Sequence, residues 1–210
     1  MEAWKENYQP IPIGEKLIIL PAWIDPSGYD RIPIRIELGM AFGPGTHPTT
    51  QLCLARVEDF FASFVGKSDI RVIDIGCGSG ILSIAALKLG AERALGVDID
   101  PEAINASADN ALLNVVTPKF ALGIGSVAEV MDGKFGIRNG NLVLANILAP
   151  LLIQLLDQGL GELVLPDGWL ILSGILAEQS PEVELALQDH GFRLADKLQT
   201  GDWVALAASR

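Results

Sequence analysis

Two short apolar segments open the chain. Residues 17–23 read LIILPAW and residues 32–38 read IPIRIEL. In the second, Ile32, Ile34, Ile36 and Leu38 alternate with Pro33, Arg35 and Glu37. That period of two gives a strand one buried face and one wet face. DPSGYD between the segments is a turn cluster. Residues 1–40 therefore predict a small β-rich lead-in. Beyond it the rhythm changes. Leu54, Val57, Phe61 and Phe64 fall on one stripe and predict a helix over 49–64. Strands over 71–75, 94–98, 120–124, 141–145 and 169–173 then alternate with helices over 80–89, 101–113, 150–160 and 181–190. Pro101 suits the first turn of its helix, and Gly191 ends the last one. Strands over 192–198 and 203–207, joined by the turn QTGD, close the chain as a pair. The alternation predicts an α/β fold over 41–210, with a mostly parallel seven-stranded sheet covered on both faces. The closing pair predicts one antiparallel strand. The longest predicted loop is 125–140.

Composition narrows the classes. The chain has 210 residues, half of them apolar and a fifth charged, enough for a real core in one domain plus a small appendage. A net charge of -11 argues against a broad nucleic-acid-binding surface and against attraction to anionic lipid. Cys53 and Cys77 stand 24 positions apart, without CxxC and beside only two histidines. Neither a metal site nor a disulfide framework follows, and a reduced cytoplasmic chain is expected. The start, MEAWKENYQP, lacks the basic-then-apolar pattern of a signal peptide. The most apolar stretch, 142–156, is broken by Asn146, Pro150 and Gln154 and is too short to cross a bilayer.

The sharpest local signal is the turn Asp74-Ile75-Gly76-Cys77-Gly78-Ser79-Gly80, between a predicted strand and a predicted helix. Glycines there allow a tight turn and close approach of a ligand to the backbone. The next strand ends in Asp98, 22 residues after Gly76. A carboxylate at that tip accepts hydrogen bonds from both ribose hydroxyls of an adenosine. A dinucleotide turn would read G-x-G-x-x-G, but Ile81 stands where its third glycine belongs. Asp74 just before the turn would repel a pyrophosphate and suits a cationic ligand. These residues favour S-adenosylmethionine, which carries an ammonium and a sulfonium and no phosphate, over NAD(P). Asp74, Gly76, Gly78, Gly80 and Asp98 are the candidate donor-binding residues. The strand over 141–145 ends at Asn146, whose amide is either an orienting group for a nucleophilic amine or a helix cap.

Upstream, residues 39–50 read GMAFGPGTHPTT, small and hydroxyl-bearing residues suited to fold over a ligand before a helix start. His47 is read as structural or exposed rather than as a base, and His190 as a dipole partner at a helix end. Cys53 and Cys77 have no base partner and are not nucleophiles. Trp169 and Trp203 are read as core or strand-end packing.

GMAFGPGTHPTTQLCL, VIDIGCGSGILSIAALKLGA, GVDIDPEAINASADNA, LANILAPL and LSGIL occur in that order. With them, the chain from about Ile11 onward resembles the PrmA family, bacterial methyltransferases of the large-subunit ribosomal protein L-eleven. The glycine turn is common to class I S-adenosylmethionine-dependent methyltransferases. The FGxGTHPTT loop with ANILA and SGIL is specific to this family. The resemblance implies a Rossmann-like class I fold with donor contacts at Thr50, Gly76, Asp98 and Asn146. It also implies N-methylation of lysine ε-amines and an N-terminal α-amine, with S-adenosylhomocysteine released. Another protein or a small-molecule amine is the alternative substrate. Pro44 and Leu38 depart from the family pattern. The family's N-terminal ferredoxin-like substrate-recognition domain is expected to be absent from this sequence, which begins near the end of the linker, as a shortened chain or as a natural short homologue.

Overall fold

The alternating rhythm becomes a seven-stranded sheet in the computed structural model, which describes residues 9–37, 45–64 and 66–210. Leu38, Pro44 and half of the 39–50 loop lie outside the described residues, as does the boundary expected at 40/41. The lead-in forms its own three-stranded sheet of β1 (Ile11–Ile13), β2 (Leu17–Pro21) and β3 (Ile32–Ile36), in that order. β1 runs antiparallel to β2, and β3 parallel to it. α1 (Pro48–Ser63) follows, then the units β4 (Arg71–Ile75)–α2 (Ile81–Leu89), β5 (Arg93–Asp98)–α3 (Pro101–Leu113) and β6 (Phe120–Ile124)–α4 (Val127–Met131). The second half is β7 (Gly140–Asn146), α5 (Ala149–Asp157), β8 (Val164–Leu176), α6 (Ser180–Asp189), β9 (Arg193–Thr200) and β10 (Trp203–Ser209).

The sheet order is β6-β5-β4-β7-β8-β10-β9. β10 is antiparallel to both neighbours, and the pairings among β4 to β8 are parallel. Period-two alternation sends successive side chains to opposite faces. Val72, Leu142 and Leu144 join one core with α1, α2 and the small sheet. Ile73, Val143 and Ala145 join the other with α4, α5 and α6. The predicted α1 stripe of Leu54, Val57, Phe61 and Phe64 is buried in the first of these. Ile34 and Ile36 are fully covered, as the alternation in β3 requires. Trp169 packs edge-on against Phe60 at 5.7 Å between ring centroids.

Three features differ from the sequence expectation. β1 is a three-residue strand, too short to show a period. The stretch expected as a loop over 125–140 holds α4, whose start is a capping box between Ser126 and Glu129. β8 begins five residues before the predicted strand, and its register against β7 shifts between Gly140 and Leu142. Asp167, with φ +61°, lies in this added part. A bulge of this kind hides the alternation that a sequence pattern relies on.

Polar side chains fasten the small sheet to the large domain. Glu58, buried on α1, accepts from the N–H of Glu15 at 2.7 Å and of Lys16 at 3.1 Å, both in the β1–β2 turn. Capping the end of α3, Asn114 accepts from the Arg35 N–H at 2.9 Å and donates to its carbonyl at 2.6 Å. Asn110 accepts from the Glu37 N–H at 2.9 Å. The outer edge of β3 is thus paired by amide side chains instead of by another strand. Glu58→Ala removes the buried carboxylate that two turn N–H groups share. It should lower unfolding free energy by about 1–3 kcal/mol, read as a lower urea midpoint with unchanged m-value.

Candidate active site

The strand order reverses between β4 and β7, and a crevice opens there at the carboxyl ends of the parallel strands. It holds a cavity of about 770 Å³. One wall is the glycine turn after β4. The N–H groups of Gly76 and Cys77 both donate to the Val97 carbonyl, at 2.9 and 3.0 Å. The Gly78 N–H donates to Asp98 Oδ2 at 3.0 Å, and the Asp100 N–H to Oδ1 at 3.0 Å. The turn is thereby sewn to the tip of β5. Each carboxylate oxygen carries two lone pairs, so Asp98 keeps acceptor capacity toward the cavity it lines. Gly76 has φ +71°, and a Cβ there would stand 2.9 Å from the Ile147 side chain. Both conformation and space demand glycine.

The opposite wall joins the end of β7 to the start of α1. The Asn146 side chain donates from Nδ2 to Thr50 Oγ1 at 3.4 Å. Its Oδ1 is without a partner among the described residues. Thr50 and Asn146 both line the cavity, with His47, Thr49 and Trp203 beside them. His47 caps α1: its Nδ1 accepts from the Thr49 N–H at 3.4 Å and lies 2.8 Å from Thr49 Oγ1. Its ring meets Trp203 edge-on, with centroids 4.9 Å apart. Ser173 on β8 donates to the Thr49 carbonyl at 3.0 Å, and its own carbonyl accepts from the Ile147 N–H at 3.1 Å. Gly174, at φ +85°, follows it, and a Cβ there would overlap the Ile147 backbone. Ser173 and Gly174 therefore hold the Thr50 and Asn146 segments together from behind.

Of the residues singled out in the sequence, Thr50, Gly76, Gly78, Asp98 and Asn146 share this cavity. Gly80 and Asp74 do not line it. Gly80 caps the start of α2 at φ +75°. Asp74 is fully buried beneath the turn, where the Ser83 hydroxyl donates to Oδ2 at 2.9 Å. Its Oδ1 has no hydrogen-bond partner among the described residues. Burial pushes the Asp74 carboxyl up to about 7; the bonds from Ser83 oppose this and the Asp98 charge adds to it. Cys53 and Cys77 are buried, and desolvation followed by the Asp74 charge pushes both thiols well above their ordinary range. His190 lies apart at the end of α6, with Nδ1 2.8 Å from the Ala186 carbonyl. The cavity also contains residues that the sequence reading passed over or assigned to packing. Trp203 is on its wall rather than only in the strand pair, and Ile99, Ser126 and Gly174 line it too. Ser126 was legible as the N-cap of a Ser-x-x-Glu box; nothing in the local pattern marks Ile99. Among the described residues, no group of three His, Cys, Asp or Glu side chains is placed to hold a metal ion, and no helix is long and apolar enough to cross a membrane.

A mostly parallel seven-stranded sheet with one antiparallel strand, a glycine turn after its central strand and an acid at the next strand tip define the Rossmann-like methyltransferase fold. The family model for ribosomal protein L11 methyltransferase (PrmA) matches residues 1–210. The ribosomal protein L11 methyltransferase of Synechococcus elongatus is 41% identical over 209 residues, which are 99% of this chain and 68% of that protein. The Azotobacter vinelandii enzyme of the same name is 44% identical, over 99% of this chain and 67% of its own. The crystal structure of ribosomal protein L11 methylase from Lactobacillus delbrueckii subsp. bulgaricus superposes with a TM-score of 0.82 at 38% identity, covering 97% of this chain and 99% of that one. The chain belongs to the ribosomal protein L11 methyltransferase family, and it is a methyltransferase.

Asp74 carries a pH signature. Its carboxyl ionises near 3.8 when unfolded and near 7 when folded, so the folded state binds the proton more tightly. Its contribution is whole below about pH 4 and is lost as pH rises through about 7. Between pH 5 and 7, the wild type should lose stability in denaturant titrations, and Asp74→Asn should flatten that decline.

Proposed function

We propose that this chain binds S-adenosylmethionine along the glycine turn and transfers its methyl group to amines of ribosomal protein L11. The observation that carries the reading is the convergence of Asp98, the Gly76–Gly78 turn and the partnerless Asn146 Oδ1 on one cavity. The donor set suits this ligand. Asp98 offers acceptors for a ribose. When bound, the donor supplies an electrophilic methyl on a cationic sulfur.

The residues of the chain do the rest by positioning. A lysine ε-amine is neutral at pH 7 only at a cost of about 4–5 kcal/mol. Desolvation against Ile75, Ile147 and Leu148, together with the donor's charge, favours the neutral form. Asn146 Oδ1 accepts one N–H of that amine, and the Thr50 hydroxyl holds the amide so that this oxygen is the one presented. The proton lost on methylation passes to water. The acceleration comes mainly from holding amine and methyl in line.

The substrate in this proposal follows the names of the relatives, of which the chain spans about two thirds (67–68%). Residues 41–210 carry donor binding and chemistry. Residues 1–40 act as a lead-in, and a family N-terminal domain presents the protein substrate. The working compartment is the cytoplasm, with no direct contact to nucleic acid or membrane.

Incubation with labelled methyl donor and L11, beside a panel of small amines, tests the assignment. Label on L11 lysines or its N-terminus supports it, and label only on another acceptor refutes the substrate. Asn146→Ala should lower kcat on the order of 100-fold while donor Kd changes much less, the pattern of lost alignment. Collapse of donor binding with intact turnover of bound donor would contradict the orienting role. Asp98→Ala should weaken the donor by about 1–3 kcal/mol in calorimetry, as loss of a charged hydrogen bond does.

A further inference from the structure

One face of α3 reaches the glycine turn from outside the cavity. Ser107, Asn110 and Asn114 occupy positions i, i+3 and i+7, which share a face of a helix. All three are buried. Ser107 Oγ donates to the Gly78 carbonyl at 2.8 Å. Asn110 Nδ2 donates to the next carbonyl, that of Ser79, at 3.0 Å. The same Asn110 amide accepts from the Glu37 N–H at 2.9 Å, so it bridges the turn and the end of the lead-in sheet. Asn114 contacts β3 but makes no bond to the turn.

These bonds fix the orientation of the turn's peptide planes. In a trans peptide the carbonyl and the following N–H point in opposite directions. Drawing the Gly78 carbonyl toward α3 therefore turns the Ser79 N–H away from α3. Ser79 lines the cavity, and its N–H has no acceptor among the described residues. The neighbouring N–H groups are already used: Gly78 donates to Asp98 and Gly80 to the Cys77 carbonyl. A donor left free on the cavity wall is available to an acceptor on a bound ligand.

We propose that Ser107 and Asn110 are positioning residues that aim the Ser79 N–H at the carboxylate of the donor's amino-acid moiety. That carboxylate is the one anionic group of S-adenosylmethionine, and a backbone N–H held by two helix side chains costs little reordering when it binds. The inference rests on the donor reading above and adds the outer residues that hold the turn ready.

Calorimetry with two probes tests it: S-adenosylhomocysteine, which carries the carboxylate, and 5′-methylthioadenosine, which lacks the amino-acid part. Ser107→Ala and Asn110→Ala should each raise the Kd for S-adenosylhomocysteine about tenfold, the size of one lost hydrogen bond. Their Kd for 5′-methylthioadenosine should stay within about twofold, and Asn114→Ala should leave both probes within about twofold. In turnover, KM for the donor should rise in the first two variants with kcat nearly unchanged. Equal weakening of both probes would reduce Ser107 and Asn110 to structural props and overturn the proposal, as would no weakening of either. If Asn110→Ala does not fold, Ser107→Ala, which loses a single hydroxyl, decides the matter alone. Failure of the wild type to bind S-adenosylhomocysteine would instead refute the donor reading itself.

Discussion

The site depends on one seam, the hydrogen bonds that join the turn after β4 to the tip of β5. Two successive N–H groups converge on the Val97 carbonyl, and a third meets the Asp98 carboxylate. A glycine turn alone would have many conformations to lose on folding. Sewn to its neighbour strand, it becomes a fixed edge of a crevice. The same carboxylate that fastens the turn also lines the cavity. α3 braces the turn from behind through Ser107 and Asn110. The brace continues into the lead-in sheet through Glu37 and Arg35.

A second seam closes the other wall. β7 and β8 lie in register at Asn146 and Ser173, and Ser173 reaches across to the first turn of α1. Thr50 and Asn146, 96 positions apart in the chain, come within hydrogen-bond distance because of it. Asp98 and Asn146 are the last residues of β5 and β7, and Thr50 sits in the first turn of α1, so the cavity is lined at the carboxyl edge of the parallel strands.

Much of this was legible in the sequence because it depends on local chemistry. The α1 stripe, the alternation in β3, the glycine turn with its acid 22 positions later and the closing hairpin each have a period or a spacing. What escaped has a physical reason. β1 and α4 are too short to show a period. The depth of Asp74 depends on how α2 covers β4, so a residue read as facing the ligand lies beneath the turn instead. Trp203 has an ordinary packing context in sequence, and the approach of β10 to His47 places it on the cavity. Asn110 and Asn114 are polar residues in a helix, which in sequence suggests a solvated face. Only the arrival of β3 against α3 makes them interior partners.

The central claim is that the carboxyl edge of the sheet cradles a sulfonium nucleoside, with its sugar on Asp98 and its sulfur beside Asn146. A crystal structure of the chain grown with S-adenosylhomocysteine tests it most directly. The account predicts ribose hydroxyls within hydrogen-bond distance of Asp98 and the thioether sulfur facing the Asn146 and Thr50 pair. Ribose density away from Asp98, or a cavity left empty at saturating ligand, would contradict it.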